Sequence, residues 1–360
     1  MRILQVMARM NVGGTARYLD TLVSGLGGLG HEVTLATGYV QGDEAEDGSV
    51  GELPIVRIEH MGRALDPRVD MVARRELAQV VRAFKPDVIH SHTFKAGLLA
   101  RTVAGDVTHV HTFHGSSLND PEFRGTGACV MLGLERMLAH RAQSLVTVSG
   151  AIRDEMLSAR IGRPEQYRII HPGVAPLIPI ARAQARTELG LDEDALVVAW
   201  LARFAPVKGP ERVLELALAL PELTFLMAGG GPLLHEIAAR APGNVRVLGW
   251  SDPRVVYGAA DIALLTSHSE GFGIGLVEAS TVGLPVVTTD AGGVAEAVVD
   301  GVTGRVVPMA AMADALRALA GDAALRATMG KAGRTWAADT HTPAAMVDKH
   351  VALYAGLLRR

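Results

Sequence analysis

Short apolar, β-branched runs alternate along this chain with longer stretches of helical periodicity, and the alternation breaks once and then restarts. Ile3–Met7, Glu32–Ala36, Ile55–Ile58, Asp87–His90, His109–Thr112 and Leu145–Ser149 read as strands. Helical stretches such as Thr15–Leu26, Val69–Phe84 and Met131–Arg141 separate most of them. Near-continuous apolar strands joined by helices imply a parallel sheet covered on both faces. At HPGVAPLIPI, from His171, closely spaced prolines exclude an interior strand or helix, so a linker is expected. The pattern then resumes with strands Leu196–Leu201, Thr224–Ala228, Val245–Leu248, Ile262–Thr266, Pro285–Thr288 and Gly304–Val306, and with helices such as Glu211–Ala219, Leu233–Arg240 and Leu276–Thr281. The expectation is two doubly wound α/β domains in series, 1–172 and 173–340, followed by a helical segment 341–360. The cleft between such domains is the default ligand site.

A chain of 360 residues is long enough for two cores. Its net charge of −3 argues against bulk nucleic-acid binding. Arg63, Arg68, Arg74, Arg75, Arg82 and Lys85 gather around one helix; a solvated face explains them, and a site for an anionic membrane surface or acceptor is the alternative. Cys129 is the lone cysteine, so an intramolecular disulfide is excluded and a small buried hydrophobe is expected. The amino terminus opens directly on a strand, and no apolar run reaches about 18 residues. A cytoplasmic location is therefore expected, with the inner face of the plasma membrane left open.

Several segments carry chemistry. Gly13 and Gly14 end the first strand and precede a helix whose amides suit an anion, but this is not GxGxxG and no acidic residue closes the second strand. Arg203 and Lys208 fall on the loop after Leu196–Leu201, at a carboxyl strand end, where a guanidinium and an ammonium suit a diphosphate. The most informative stretch is SHSEGFGIGLVEASTVGLPVVTTDAGGVAE, from Ser267. Glu270 lies on the loop, Gly271 and Gly273 admit close approach of a ligand, and a helix starting near Ile274 carries Glu278 one turn in. The two carboxylates can then contact different hydroxyls, those of a sugar and of a ribose. His90, His92, His109, His111 and His114 crowd two strand ends; a metal site is weighed there, and hydrogen-bonded core or cleft residues are the simpler reading. His114, before Gly115, is the one expected to reach a ligand.

Taken together these residues resemble the retaining glycosyltransferases of the GT-B fold, specifically family 4, with two Rossmann-like domains. The resemblance spans the chain and rests on Glu270-x7-Glu278, GLPVV, GGVAE, Arg203-x4-Lys208, the Gly13-Gly14 turn and His114-Gly115. It implies that Arg203 and Lys208 bind the donor diphosphate with Gly13 and Gly14 alongside, that Glu278 holds the ribose, and that Glu270 reads the transferred sugar with the amides of Gly271, Phe272, Gly273 and Ile274 nearby. His114 would hydrogen-bond the donor sugar, Gly229 and Gly231 would form the glycine-rich turn, and Trp250 would flank the base. The chain departs from the family at HPGVA, where many members carry Asn-Gly-Val-Asp, so Ala175 inherits no role.

The implied activity is metal-independent, retaining transfer of a hexose or N-acetylhexosamine from a nucleoside diphosphate sugar, with no cofactor, in polysaccharide, glycolipid or natural-product glycoside synthesis. Fixed cations at the departing phosphate supply the stabilisation. The acceptor, a glycan, a lipid-linked molecule or a small molecule, would meet first-domain loops Gly38–Gly51, Met61–Pro67 and Ser116–Gly127, and peripheral membrane contact stays open. A nucleotide-sugar 2-epimerase and a non-catalytic nucleotide-sugar-binding protein are the alternatives.

Overall fold

The computed structural model describes residues 1–42, 44–62, 64–115 and 126–359. Arg63 and most of the Ser116–Gly127 loop lie outside the described residues. The chain divides into two compact units, Met1–Gly173 together with Pro343–Arg360, and Val174–Thr342.

In the first unit the elements run β1 (Arg2–Met7), α1 (Gly14–Gly28), β2 (Glu32–Thr37), β3 (Ile55–Arg57), α2 (Pro67–Phe84), β4 (Val88–His92), α3 (Thr93–Val103), β5 (Thr108–Phe113), α4 (Thr126–Ala139), β6 (Ser144–Thr147), α5 (Gly150–Ser158) and β7 (Tyr167–Ile169). The strands form one parallel sheet, ordered β3-β2-β1-β4-β5-β6-β7, whose direction of winding reverses between β1 and β4. Strand alternation divides the labour between its faces. Leu4, Val6 and Ile89 pack with Ala73, Leu77, Ala96 and Leu99 of α2 and α3. Gln5, His90 and His92, the alternate residues, are equally buried and form a polar layer instead.

The second unit runs α6 (Arg182–Glu188), β8 (Val197–Leu201), α7 (Pro210–Ala219), β9 (Thr224–Ala228), α8 (Leu234–Arg240), β10 (Val245–Gly249), α9 (Pro253–Ala259), β11 (Ile262–Leu265), α10 (Ile274–Thr281), β12 (Val286–Thr289), β13 (Gly304–Val307), α11 (Met312–Gly321) and α12 (Ala323–Thr340). Its parallel sheet is ordered β10-β9-β8-β11-β12-β13, with the switch between β8 and β11. Both faces are apolar: Val198, Trp200, Phe225 and Met227 pack to one side, and Val197, Ala199, Leu226 and Ala228 to the other. This explains why these strands read as unbroken apolar runs.

Helix α13 (Pro343–Leu358) belongs to the first unit and packs on α1. The approach is close, since a Cβ on Gly25 would stand 2.5 Å from Cγ2 of Val347. Cys129 departs from expectation: it is exposed. Among the described side chains of α4 the buried ones are Met131, Glu135, Leu138 and Ala139, a helical stripe that turns Cys129, Val130 and Met137 outward. Among the described residues no helix is long and apolar enough to cross a membrane.

Candidate functional site

Arg203 and Lys208 both lie on the loop that leaves β8, and Glu270 lies on the loop that leaves β11. These strands flank the topological switch of the second sheet, where open α/β sheets leave a crevice for ligands. Thr266 ties the two loops together. Its hydroxyl accepts from Trp200 Nε1 at 3.0 Å and donates to the Gly209 carbonyl at 2.9 Å, while Arg212 donates to the Thr266 carbonyl at 2.9 Å. The His268 amide also donates to Val207 O at 2.8 Å.

The tether brings Lys208 Nζ to 2.5 Å from Glu270 Oε1, which also accepts from Ser267 Oγ at 2.8 Å. Glu270 is buried and Lys208 half-buried. The expected phosphate cation and the expected sugar carboxylate are thus an ion pair. Ser267 was not foreseen as a participant; the serine before His268 carries no spacing signal that sets it apart. The GGVAE stretch gains a physical role here. Gly293 N donates to the Glu270 carbonyl at 3.0 Å, and a Cβ on Gly292, whose φ is 63°, would fall 2.5 Å from that oxygen.

Gly271, Phe272 and Gly273 follow Glu270 and lead into α10, with Gly273 as its N-cap and Ile274 its first residue. The helix therefore sets the positive end of its dipole at the Glu270 loop. Glu278, on α10, is buried, as is Phe272, whose ring lies 5.1 Å from that of His341. Arg203 is exposed, held between Ala202, whose amide donates to Ala228 O, and Phe204, whose amide donates to Gly230 O at 2.8 Å. Gly229 and Gly231 run beside this loop, and Gly231 lies against Phe204 O. Trp250, half exposed, covers Gly230, where a Cβ would be 2.2 Å from its ring.

At Gly229 φ is 133° and a Cβ would stand 2.1 Å from the Ala202 carbonyl. Gly229→Ala is therefore expected to displace the backbone next to Arg203 and cost roughly 1–3 kcal/mol of stability. Urea unfolding checks this, and an unchanged midpoint would refute the close approach.

In the first unit Gly13 is the N-cap of α1 and Gly14 its first residue, and His114 follows β5 directly. The five histidines do not converge on one point. His92 Nδ1 lies 2.9 Å from His114 Nε2, His90 is bonded to Tyr354 and Thr112, and Ser91 Oγ lies 2.9 Å from both His109 Nε2 and His111 Nδ1. Among the described residues the one group spaced to hold a metal ion is Glu59, His60 and Glu76, on the surface. Burial pushes His114 down to about 3, with His350 adding to the effect, so its imidazole is neutral at ordinary pH. Thr93, next to His92, holds φ 66°, a strained conformation for a β-branched residue. Tyr18, His350 and Tyr354, which surround the histidines, were not foreseen; α1 and α13 are too distant from β4 in sequence for any spacing to link them.

Two parallel, doubly wound units in series, the second with paired charges at its switch point, define a two-domain α/β protein of the GT-B class. Residues 12–176 match the family described as Glycosyltransferase Family 4, and residues 181–336 match Glycosyl transferases group 1. The chain belongs to this glycosyltransferase family. It is 34% identical over 280 residues to a D-inositol 3-phosphate glycosyltransferase of Kribbella flavida, covering 68% of this chain and 66% of the relative. It is 34% identical over 255 residues to the enzyme of the same name from Mycobacterium sp. (strain KMS), covering 61% of this chain and 55% of that one. The match thus spans little more than half the length of some of these relatives. Among solved structures, sucrose-phosphate synthase from Thermosynechococcus elongatus superposes with a TM-score of 0.83 at 21% identity, covering 100% of both chains. Anabaena HepE in complex with UDP and glucose gives 0.84 at 20% identity, covering 99% of this chain and 100% of that one.

Proposed function

We propose that the chain transfers a sugar from a nucleoside diphosphate sugar to an acceptor hydroxyl, with retention of configuration and without a metal ion. The observation that carries this reading is the Lys208–Glu270 pair at the sheet switch, beside the start of α10. An ammonium paired to a carboxylate marks the junction where a diphosphate, which needs cations, meets a sugar, whose hydroxyls need acceptors. Arg203 and Lys208 bind the diphosphate, Gly13 and Gly14 lie along it, and Glu278 takes the ribose hydroxyls. Gly229, Gly231 and Trp250 flank the base. Glu270 accepts from sugar hydroxyls, with the Gly271 to Ile274 backbone supplying donors, and His114 contacts the same sugar.

In the reaction the bond from the anomeric carbon to the diphosphate oxygen breaks, and the acceptor oxygen forms a new bond to that carbon. Arg203 and Lys208 stabilise the charge gathering on the departing phosphate, which takes up the acceptor proton. Glu270 is a poor nucleophile, because Lys208 and Ser267 already engage its Oε1. Attack from the face of the leaving group, rather than through a glycosyl-enzyme, follows from that. The acceptor is met by loops of the first unit, and the basic face of α2 offers peripheral contact with an anionic membrane at the cytoplasmic side.

The D-inositol 3-phosphate glycosyltransferases and the UDP-bound HepE structures make UDP-sugars and D-inositol 3-phosphate the first pair to assay. A nucleotide sugar held at 100 times its Kd should raise stability by about 2.7 kcal/mol. Thermal shifts against UDP-, GDP-, ADP- and dTDP-sugars read this directly, and no shift with any of them would overturn the donor reading. Turnover without acceptor would favour a 2-epimerase instead.

A further inference from the structure

We propose that a directional hydrogen-bond chain, set by the side-chain amide of Gln5 and passing through His92, locks His114 as the Nε2–H tautomer, so that its Nδ1 offers a lone pair to the substrate. Two runs of hydrogen bonds in the polar layer have a direction, one ending at Tyr18 and one passing through Gln5. His350 Nδ1 lies 2.8 Å from Met346 O, and a carbonyl only accepts, so this nitrogen carries the hydrogen. His350 Nε2 then has the lone pair and accepts from Tyr18 OH at 2.9 Å.

In the second run Tyr354 OH receives the Gln5 amide nitrogen at 3.4 Å, which leaves its own hydrogen for His90 Nδ1 at 2.6 Å. Neutral His90 then carries its hydrogen on Nε2 and donates it to Thr112 Oγ1 at 2.6 Å. The same orientation of Gln5 turns its Oε1 toward His92. His92 Nε2 donates to that oxygen at 2.7 Å, and His92 Nδ1 accepts from His114 Nε2 at 2.9 Å. His90 and His92 are held neutral, since burial foremost and neighbouring imidazoles next push them well below the ordinary histidine value. Neutrality leaves each ring one donor and one acceptor, the condition that makes the chain directional.

Gln5, His92 and Tyr354 are therefore positioning residues. His114 acts as an acceptor for a sugar hydroxyl, which rests on the reading of His114 as a sugar contact, whereas its tautomer does not. Nitrogen-15 spectra of the labelled full chain, correlating ring nitrogens with ring protons, read the tautomer, with His114 assigned by the signals lost in His114→Gln. The expected result is Nε2 protonated and Nδ1 bare. Tyr354→Phe, three bonds away along the chain, is expected to mix the two tautomers of His114 and to lower kcat by on the order of tenfold with the donor KM unchanged. Thr112→Val is expected to do the same, and it serves if Tyr354→Phe fails to fold.

A wild-type His114 protonated at Nδ1, or a tautomer indifferent to both variants, overturns the proposal. If His114→Ala transfers sugar at the wild-type rate while the tautomer stands, it is the sugar contact that fails. If His114→Ala is inactive and Nδ1 is protonated, the relay fails and the sugar contact survives.

Discussion

Arg203→Ala and Lys208→Ala are each expected to lower kcat by about 10²–10³-fold, the range found when one preorganised donor to a developing oxyanion is removed. In the proposed reaction both act where charge accumulates on the leaving phosphate, so the loss should fall on the chemical step and single-turnover kinetics should carry it. The two variants differ in their second effect. Lys208 is bonded to the buried Glu270, and its removal leaves that carboxylate with Ser267 as its remaining side-chain hydrogen-bond partner. Lys208→Ala should therefore also cost about 1–3 kcal/mol of stability, lessened by the partial exposure of the lysine. Adding Glu270→Gln should recover much of that stability without recovering the rate. Arg203 is exposed, so Arg203→Ala should unfold close to the wild-type midpoint. Folded variants that transfer at the wild-type rate would remove the diphosphate role from both residues.

The unequal second effects show what sequence could and could not disclose. Strands such as Thr224–Ala228 were legible to the residue because both faces of the second sheet are buried and the apolar run ends where burial ends. The start of α10 at Ile274 was legible because Gly273 interrupts the backbone just ahead of it. Helix α3 was missed: its first residues follow β4 without a turn, and the strained Thr93 makes the junction in place of glycine or proline. Cys129 was misplaced because an apolar residue in an apolar helix carries no mark of its face until the buried stripe is known.

At the site the same divide holds. The places of Arg203, Lys208 and Glu270 on loops at carboxyl strand ends, and of Glu278 on a helix, were legible from local spacing. The Lys208–Glu270 pairing was not, since it depends on Thr266 fastening one loop to another. The polar layer of the first unit lay furthest from reach. Gln5 and Tyr354 meet although they stand at opposite ends of the chain, and five histidines in and just after two strands show nothing in sequence of which partner each one bonds.

That layer makes the first unit sensitive to acid. Burial foremost pushes His109 and His114 down to about 3 and His350 down to about 4, with Arg101 adding to His109 and His350 adding to His114. In the unfolded chain each returns to about 6.5. Because the folded values are the lower ones, the unfolded state binds protons that the native state refuses as pH falls. The stabilising balance is fully present above about pH 6.5 and is lost progressively on acidification, until the folded values near 3 to 4 are reached. The loss is about 1.4 kcal/mol per pH unit for each histidine, so at pH 5 each of the three has cost roughly 2 kcal/mol. His90, His92 and His111 shift in the same direction and deepen the loss. Against a typical domain stability of about 5–15 kcal/mol, a sum of this size should unfold the first unit between neutral pH and pH 4. Urea unfolding at pH 7.5, 6 and 5 should show stability falling with pH, and calorimetry should show proton uptake on unfolding at pH 5. His350→Gln, which keeps an amide donor and acceptor but does not titrate, should flatten the slope by about one proton. Equal stability at pH 7.5 and pH 5 would mean that these imidazoles reach solvent, and the layer would then not be the closed hydrogen-bond network that positions His114.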